Sequence, residues 1–101
     1  MERMQITEVS ATSYPKKTAD EIAVELYGEG AVARIMEEIS KVKTASNFRF
    51  TSEYLQIGIY FIGENLAKID KKEETPVSLT NLVTRSLGEA AIYYFQVLGR
   101  E

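Results

Sequence analysis

Residues 54–62, Tyr54-Leu55-Gln56-Ile57-Gly58-Ile59-Tyr60-Phe61-Ile62, contain one side chain, Gln56, that is neither apolar, aromatic nor glycine. A helix carrying this segment is apolar on every side and must be covered nearly all round. Residues 90–98, Ala90-Ala91-Ile92-Tyr93-Tyr94-Phe95-Gln96-Val97-Leu98, repeat the composition, again with one Gln. A chain of 101 residues fits one domain with a single core that removes roughly two-thirds of its unfolded surface from water. Two such stretches exceed what the rest of so short a chain can cover, and they predict an interface with another molecule.

The apolar share of 45% and charged share of 27% are those of an ordinary globular protein. A net charge of -3 lacks the electrostatic footprint of a nucleic-acid binder, although a local basic patch is compatible with it. The chain has no Cys, which excludes disulfides and thiolate zinc sites. It has no His, and so neither the commonest metal ligand nor the one side chain that titrates unperturbed near neutrality. Residues 1–6 begin no apolar run of signal-peptide length, and the segment 54–69 carries Glu64 and Lys68 and is shorter than the roughly 20 apolar residues of a membrane span. A cytoplasmic protein with no membrane association is expected.

The first 17 residues read as an N-terminal arm or edge strand, with Ile6 and Val9 isolated among polar neighbours, and residues 18–101 as a single helical domain. Thr18 and Glu21 have the spacing of a capping box and predict a helix over 19–27 that buries Ile22, Ala23, Leu26 and Tyr27. Gly28 stands where a left-handed C-terminal cap is expected, and Gly30 adds a second break. A second helix over 31–42 follows, with Val32, Ile35, Met36 and Ile39 on one face and the i, i+4 pairs Arg34/Glu38 and Glu37/Lys41 on the other.

Thr51 or Ser52 caps a third helix with Glu53 in its first turn, and its stripe is Leu55, Ile59, Ile62, Leu66 and Ile69. Leu55, Ile57, Ile59 and Phe61 also alternate as in a strand. The helical stripe continues to Ile69, where alternation fails, so helix is predicted. After a charged connection closed by Pro76, the fourth helix has the stripe Leu79, Leu82/Val83, Ser86/Leu87, Ala90, Tyr94 and Val97/Leu98, with Gly99 as the stop. The expected fold is therefore mainly α, a small bundle of about four helices ending in a long antiparallel hairpin. Folding the last two helices around 70–78 brings 54–62 and 90–98 to one end and the charged turn to the other. The interface residues this predicts are Tyr54, Ile57, Tyr60, Phe61, Tyr93, Phe95 and Val97, with Tyr94 facing inward and Tyr93 outward beside Tyr60.

No constellation for chemistry stands out. Ser or Thr nucleophiles usually need a neighbouring base, most often His. The pairs Glu21/Glu25, Glu37/Glu38 and Glu73/Glu74 read as solvated faces, and Asp70, Glu73 and Glu74 lack the alternating ligands and Gly of a calcium loop. Gly28-Glu29-Gly30 misses both phosphate-loop spacings and reads as a helix break. Lys41, Lys43 and Arg49 are the candidate nucleic-acid contacts, because Phe48 and Phe50 flank Arg49 and aromatic rings stack on bases. They are expected to lie apart from the apolar end.

Two short resemblances are present. The order of short helix, extended loop, long helix, connection and further helix over 31–98 resembles a histone fold, with Arg49-Phe50-Thr51 similar to its first loop and the segment 75–82 to its second. The chain departs from that family in Pro76, in Asn81 where an acidic residue is expected, in a last helix about twice the usual length and in its acidic balance. The resemblance implies handshake-like dimerisation and no DNA wrapping. Asp20-Glu21-Ile22-Ala23 with Leu26-Tyr27-Gly28 is similar to the first helix of LysM domains, without their Gly-Asp-Thr opening.

The function expected is that of a non-enzymatic interaction subunit, without cofactor or metal, that dimerises or docks on a protein partner through its apolar end, within a nucleic-acid-handling complex in one version. The competing reading is a small DNA- or RNA-binding helical protein, a histone-like dimer, that binds weakly through the basic residues near 41–49.

Overall fold

The computed structural model describes residues 17–47 and 49–100. The arm or edge strand expected over 1–17 lies outside the described residues apart from Lys17. Among the described residues there are four α-helices and no strand: α1 (Ala19–Tyr27), α2 (Ala31–Ala45), α3 (Ser52–Asp70) and α4 (Leu79–Ile92), which runs on into a π-helical segment, Tyr93–Val97. Residues 54–62 are helical, as the long stripe predicts.

The helix starts follow local chemistry. The Thr18 hydroxyl accepts from the Glu21 N–H at 3.2 Å and the Glu21 carboxylate accepts from the Thr18 N–H at 2.9 Å, closing the capping box of α1. Thr51 caps α3 by accepting from the Tyr54 N–H, and Ser78 caps α4 by accepting from the Asn81 N–H, each at 3.1 Å. The left-handed residue between α1 and α2 is Gly30, at φ 82° and ψ 1°, and not Gly28, whose φ of 91° comes with an extended ψ of 177°. Both backbone states favour glycine, which has no Cβ to clash.

α3 and α4 form the antiparallel hairpin and make the most extensive packing; α2 lies on α4, α1 on α3, and α1 on α2, so the four helices enclose one core. Leu66, Leu82 and Val83 are its largest fully buried aliphatic side chains, each stabilising by about 1.5–3 kcal/mol on burial. Tyr27 ties α1 to the start of α4, its hydroxyl donating to the Val77 carbonyl at 2.7 Å.

Two predicted stripes are rotated. In α2 the buried positions are Ala31, Ile35 and Ile39, while Val32 and Met36 are exposed. In the first half of α3 they are Tyr54 and Gly58, while Leu55 is half-buried and Ile59 exposed. The reason is the close approach of α3 and α4: a Cβ at Gly58 would stand 2.6 Å from Leu87 Cδ2, so the smallest residue faces the partner helix. In α4, Leu79, Leu82, Val83, Ser86, Leu87 and Ala90 are buried as their spacing predicts, and Tyr94 continues the line. The predicted i, i+4 pairs of α2 are replaced by Lys41–Glu38 at i, i+3 and by Arg34 donating to the Tyr27 carbonyl.

Candidate functional site

The site is the end of the hairpin away from the charged turn. Tyr54 is not at the surface there. It is only 2% exposed, its hydroxyl donates to the Leu87 carbonyl at 2.7 Å, and its ring packs edge-on against Phe50 and Tyr94. Burial pushes its phenol pKa up, keeping it a neutral donor. Tyr54 is a core anchor, and its place among the interface residues is corrected on that ground. Tyr94 faces inward beside it, with the Tyr94 and Thr51 hydroxyls 2.9 Å apart.

The other six predicted interface residues reach the surface at this tip. Tyr60 and Val97 are 61% and 64% exposed, Tyr93 39% and Phe95 37%, and Ile57 and Phe61 are half-buried. Tyr60, Phe61 and Tyr93 form a chain of edge-on rings with centroids 5.5 and 6.2 Å apart. With Gln56 and Ile57 they line a cleft of about 400 Å³ between α3 and the π-helical segment. Ile92, immediately before Tyr93 and 59% exposed, was missed as a surface residue. The signal was available, since Ile92 is absent from the buried stripe of α4.

The π-helical segment sets which side chains point outward. The Leu98 N–H donates to the Tyr93 carbonyl, five residues back, and the Arg100 N–H to the Tyr94 carbonyl. This wider turn leaves Val97 exposed and Leu98 half-buried, where the stripe offered either for the interior. Arg100 then clamps the end of the chain to the first turn of α3, its Nε and a terminal nitrogen donating to the two Glu53 oxygens at 2.8 and 3.2 Å. These hydrogen bonds, and the guanidinium charge behind them, hold the Glu53 carboxyl below the usual carboxylate range.

The opposite end is polar. Glu74 pairs with Arg85 at 2.7 Å and with Lys68 at 3.9 Å, and Lys17 bridges Glu25 and Asp70. Asp70 and Glu74 are thus paired with cations, and among the described residues no three carboxylates converge on one point that an ion would fill. Midway along the hairpin, the buried Asn65 amide donates to Ser86 Oγ and to a Glu89 oxygen, and Ser86 donates to the Leu82 carbonyl.

Of the candidate nucleic-acid contacts, Arg49 does not lie apart from the apolar end, being two residues before Thr51, whose hydroxyl meets that of Tyr94; Lys41 and Lys43 are on α2, Lys43 in its last turn. Lys41, Lys43 and Arg49 are all exposed, and Lys41 is paired with Glu38 at 3.2 Å. Phe50 packs on Tyr54 and is half-buried, which removes it as an open stacking platform; Phe48 lies outside the described residues.

Among the described residues no helix is long and apolar enough to cross a membrane. Comparison with family models, with curated proteins and with solved structures finds no match to this chain, so neither the histone-like nor the LysM-like resemblance gains support.

Proposed function

We propose that this protein is a non-enzymatic assembly subunit that associates through the tip of the α3–α4 hairpin. One observation carries the reading: the side chains left exposed at the tip are large, apolar and aromatic, over two stretches, 54–62 and 90–98, that contain no charged residue. Exposed apolar clusters of this kind mark interaction surfaces, and Tyr and Phe are enriched at interface cores. Beneath it Tyr54 and Tyr94 are hydrogen-bonded in the interior, and Arg100 pairs with Glu53 at the edge.

Direct nucleic-acid binding is the weaker reading. Lys43 and Arg49 are exposed, but Lys41 is paired with Glu38 and Phe50 is committed to packing.

The test compares two neighbouring tyrosines. In an extract of its own cells, the tagged chain should run well above the size expected for one 11.4 kDa chain. Tyr93→Asp should keep wild-type helicity by circular dichroism and run as a single chain, because an unpaired carboxylate is costly in a dry interface. Tyr94→Ala should instead lower stability by about 2–5 kcal/mol, as truncation of a buried large side chain does. A folded Tyr93→Asp variant that stays in the large particle removes the tip as the association surface.

A further inference from the structure

Resting on that reading, we infer that the cleft between α3 and the π-helical segment receives an arginine side chain of a protein partner, its guanidinium against the rings of Tyr60, Phe61 and Tyr93 and directed toward Glu64 and Glu89. The rings of the cleft are arranged as walls. Neighbouring rings stand at 76° and 66° to one another, so they face different directions and do not close on each other as a stack. Tyr60 and Tyr93 keep 61% and 39% of their surface open. The face of an aromatic ring is its electronegative part, and a cation within about 6 Å of the centroid is attracted to it.

The charges one turn beyond the rings have the same sign on both walls. On α3, Gln56, Tyr60 and Glu64 follow at steps of four on one face, and Glu64 is exposed, with no ion-pair partner among the described residues. On α4, Glu89 is one turn before Tyr93, whose N–H donates to the Glu89 carbonyl. The Asn65 amide donates to Glu89 Oε1 at 2.8 Å, so these two turns are adjacent across the hairpin. The cations next along the helices are drawn to the charged turn: Lys68 reaches Glu74, and Arg85 is 2.7 Å from Glu74 against 3.9 Å from Glu89. Arg100, beyond Tyr93 in the chain, is held by Glu53 at 2.8 Å. The cleft is therefore an apolar recess with electronegative ring faces and two carboxylates beyond one end. A cation complements it, whereas a neutral apolar side chain leaves Glu64 unanswered.

Among protein cations the cleft favours arginine. A guanidinium is planar and weakly hydrated, stacks on ring faces and pairs a carboxylate through a fork of donors, while a lysine ammonium is a strongly hydrated point charge. Arginine is also enriched at interfaces from which lysine is depleted. The cleft volume of about 400 Å³ is at the small end of the roughly 300–1,000 Å³ of ligand sites, a size suited to a side chain.

The test uses the purified chain and a defined probe, the capped tripeptide acetyl-Leu-Arg-Leu-amide, with norleucine or lysine in place of the arginine as controls. Norleucine keeps the apolar stem and removes the charge; lysine keeps the charge and removes the plane. Titration followed by NMR of the chain should move the Tyr60 and Tyr93 ring signals, with the arginine peptide binding about ten-fold tighter than the norleucine peptide and tighter than the lysine peptide. Glu64→Gln, an exposed position outside the core, should reduce the arginine preference and leave the affinity for the norleucine peptide unchanged. Equal affinity for the arginine and norleucine peptides, or tyrosine rings that do not move, overturns the site, and a preference indifferent to Glu64→Gln overturns the role given to that carboxylate. If the preference is absent while the tagged wild type still runs large in extract, the association reading survives with a different contact; a wild type that runs as a single chain in extract removes both.

Discussion

Two adjacent tyrosines have opposite roles at this tip. Tyr94 hydrogen-bonds with Thr51 in the interior, while Tyr93 lines the open cleft, because neighbouring residues on a helical turn point in different directions. Glu53 shows how a single exposed pair is arranged around them. Its folded pKa is depressed by Arg100, so whatever the pair contributes is present above the ordinary carboxylate range and is lost as pH falls through the folded pKa. The prediction is that Arg100→Ala moves the Glu53 titration upward into the ordinary range, followed by carboxyl NMR; an unchanged titration would show that the clamp does not form in solution. The outward Tyr93 and Tyr60 and the inward Tyr94 were legible because their positions follow from helical geometry, whereas the exposure of Val97 follows from the π-helical turn. Tyr54 was not, because its place inside depends on a carbonyl contributed by Leu87, 33 residues away.

The start of α1 was readable to the residue, since the capping box and the glycine after Tyr27 are local signals. α2 runs one turn beyond its apolar pattern, through Lys43-Thr44-Ala45, where no sequence signal stops it before Ser46. The rotated stripes have one lesson. A count of apolar side chains gives no weight to Ala31 or Gly58, yet Ala31 is fully buried and Gly58 is where α3 and α4 come close. Two glycines of α3 separate propensity from packing. At Gly63 an added Cβ meets only Ala19 Cβ at 3.6 Å, so Gly63→Ala should raise stability by about 1 kcal/mol through helix propensity alone. At Gly58 the same change meets Leu87, a buried side chain with little room to yield, and overpacking at about 1–3 kcal/mol should cancel or outweigh that gain. Urea denaturation of both variants checks this; equal gains at the two sites would contradict the close approach of α3 and α4. The buried Asn65–Ser86–Glu89 set was missed because apolar periodicity ignores polar residues, and the π-helical segment because nothing in its sequence departs from an ordinary helix.

At the scale of the whole molecule, the hairpin divides its labour between its ends. Ion pairs stand at the turn, a buried core lies between, and the other end exposes Tyr60, Ile92, Tyr93, Phe95 and Val97. A second, smaller set of exposed apolar residues, Val32 and Met36, lies on α2 and serves as the natural comparison. The two-helix polarity was legible in the sequence because it needs only the connection over 70–78. The nearness of Arg49 to the tip follows from its place two residues before the Thr51 cap of α3. The most direct measurement is the size of the particle that the tagged chain forms in an extract of its own cells, by size-exclusion chromatography, with paired aspartates at each surface. Tyr60→Asp with Tyr93→Asp should abolish association and leave a folded single chain of 11.4 kDa, while Val32→Asp with Met36→Asp should leave the association intact. If the α2 pair dissociates the protein and the tip pair does not, the tip is not where this chain assembles.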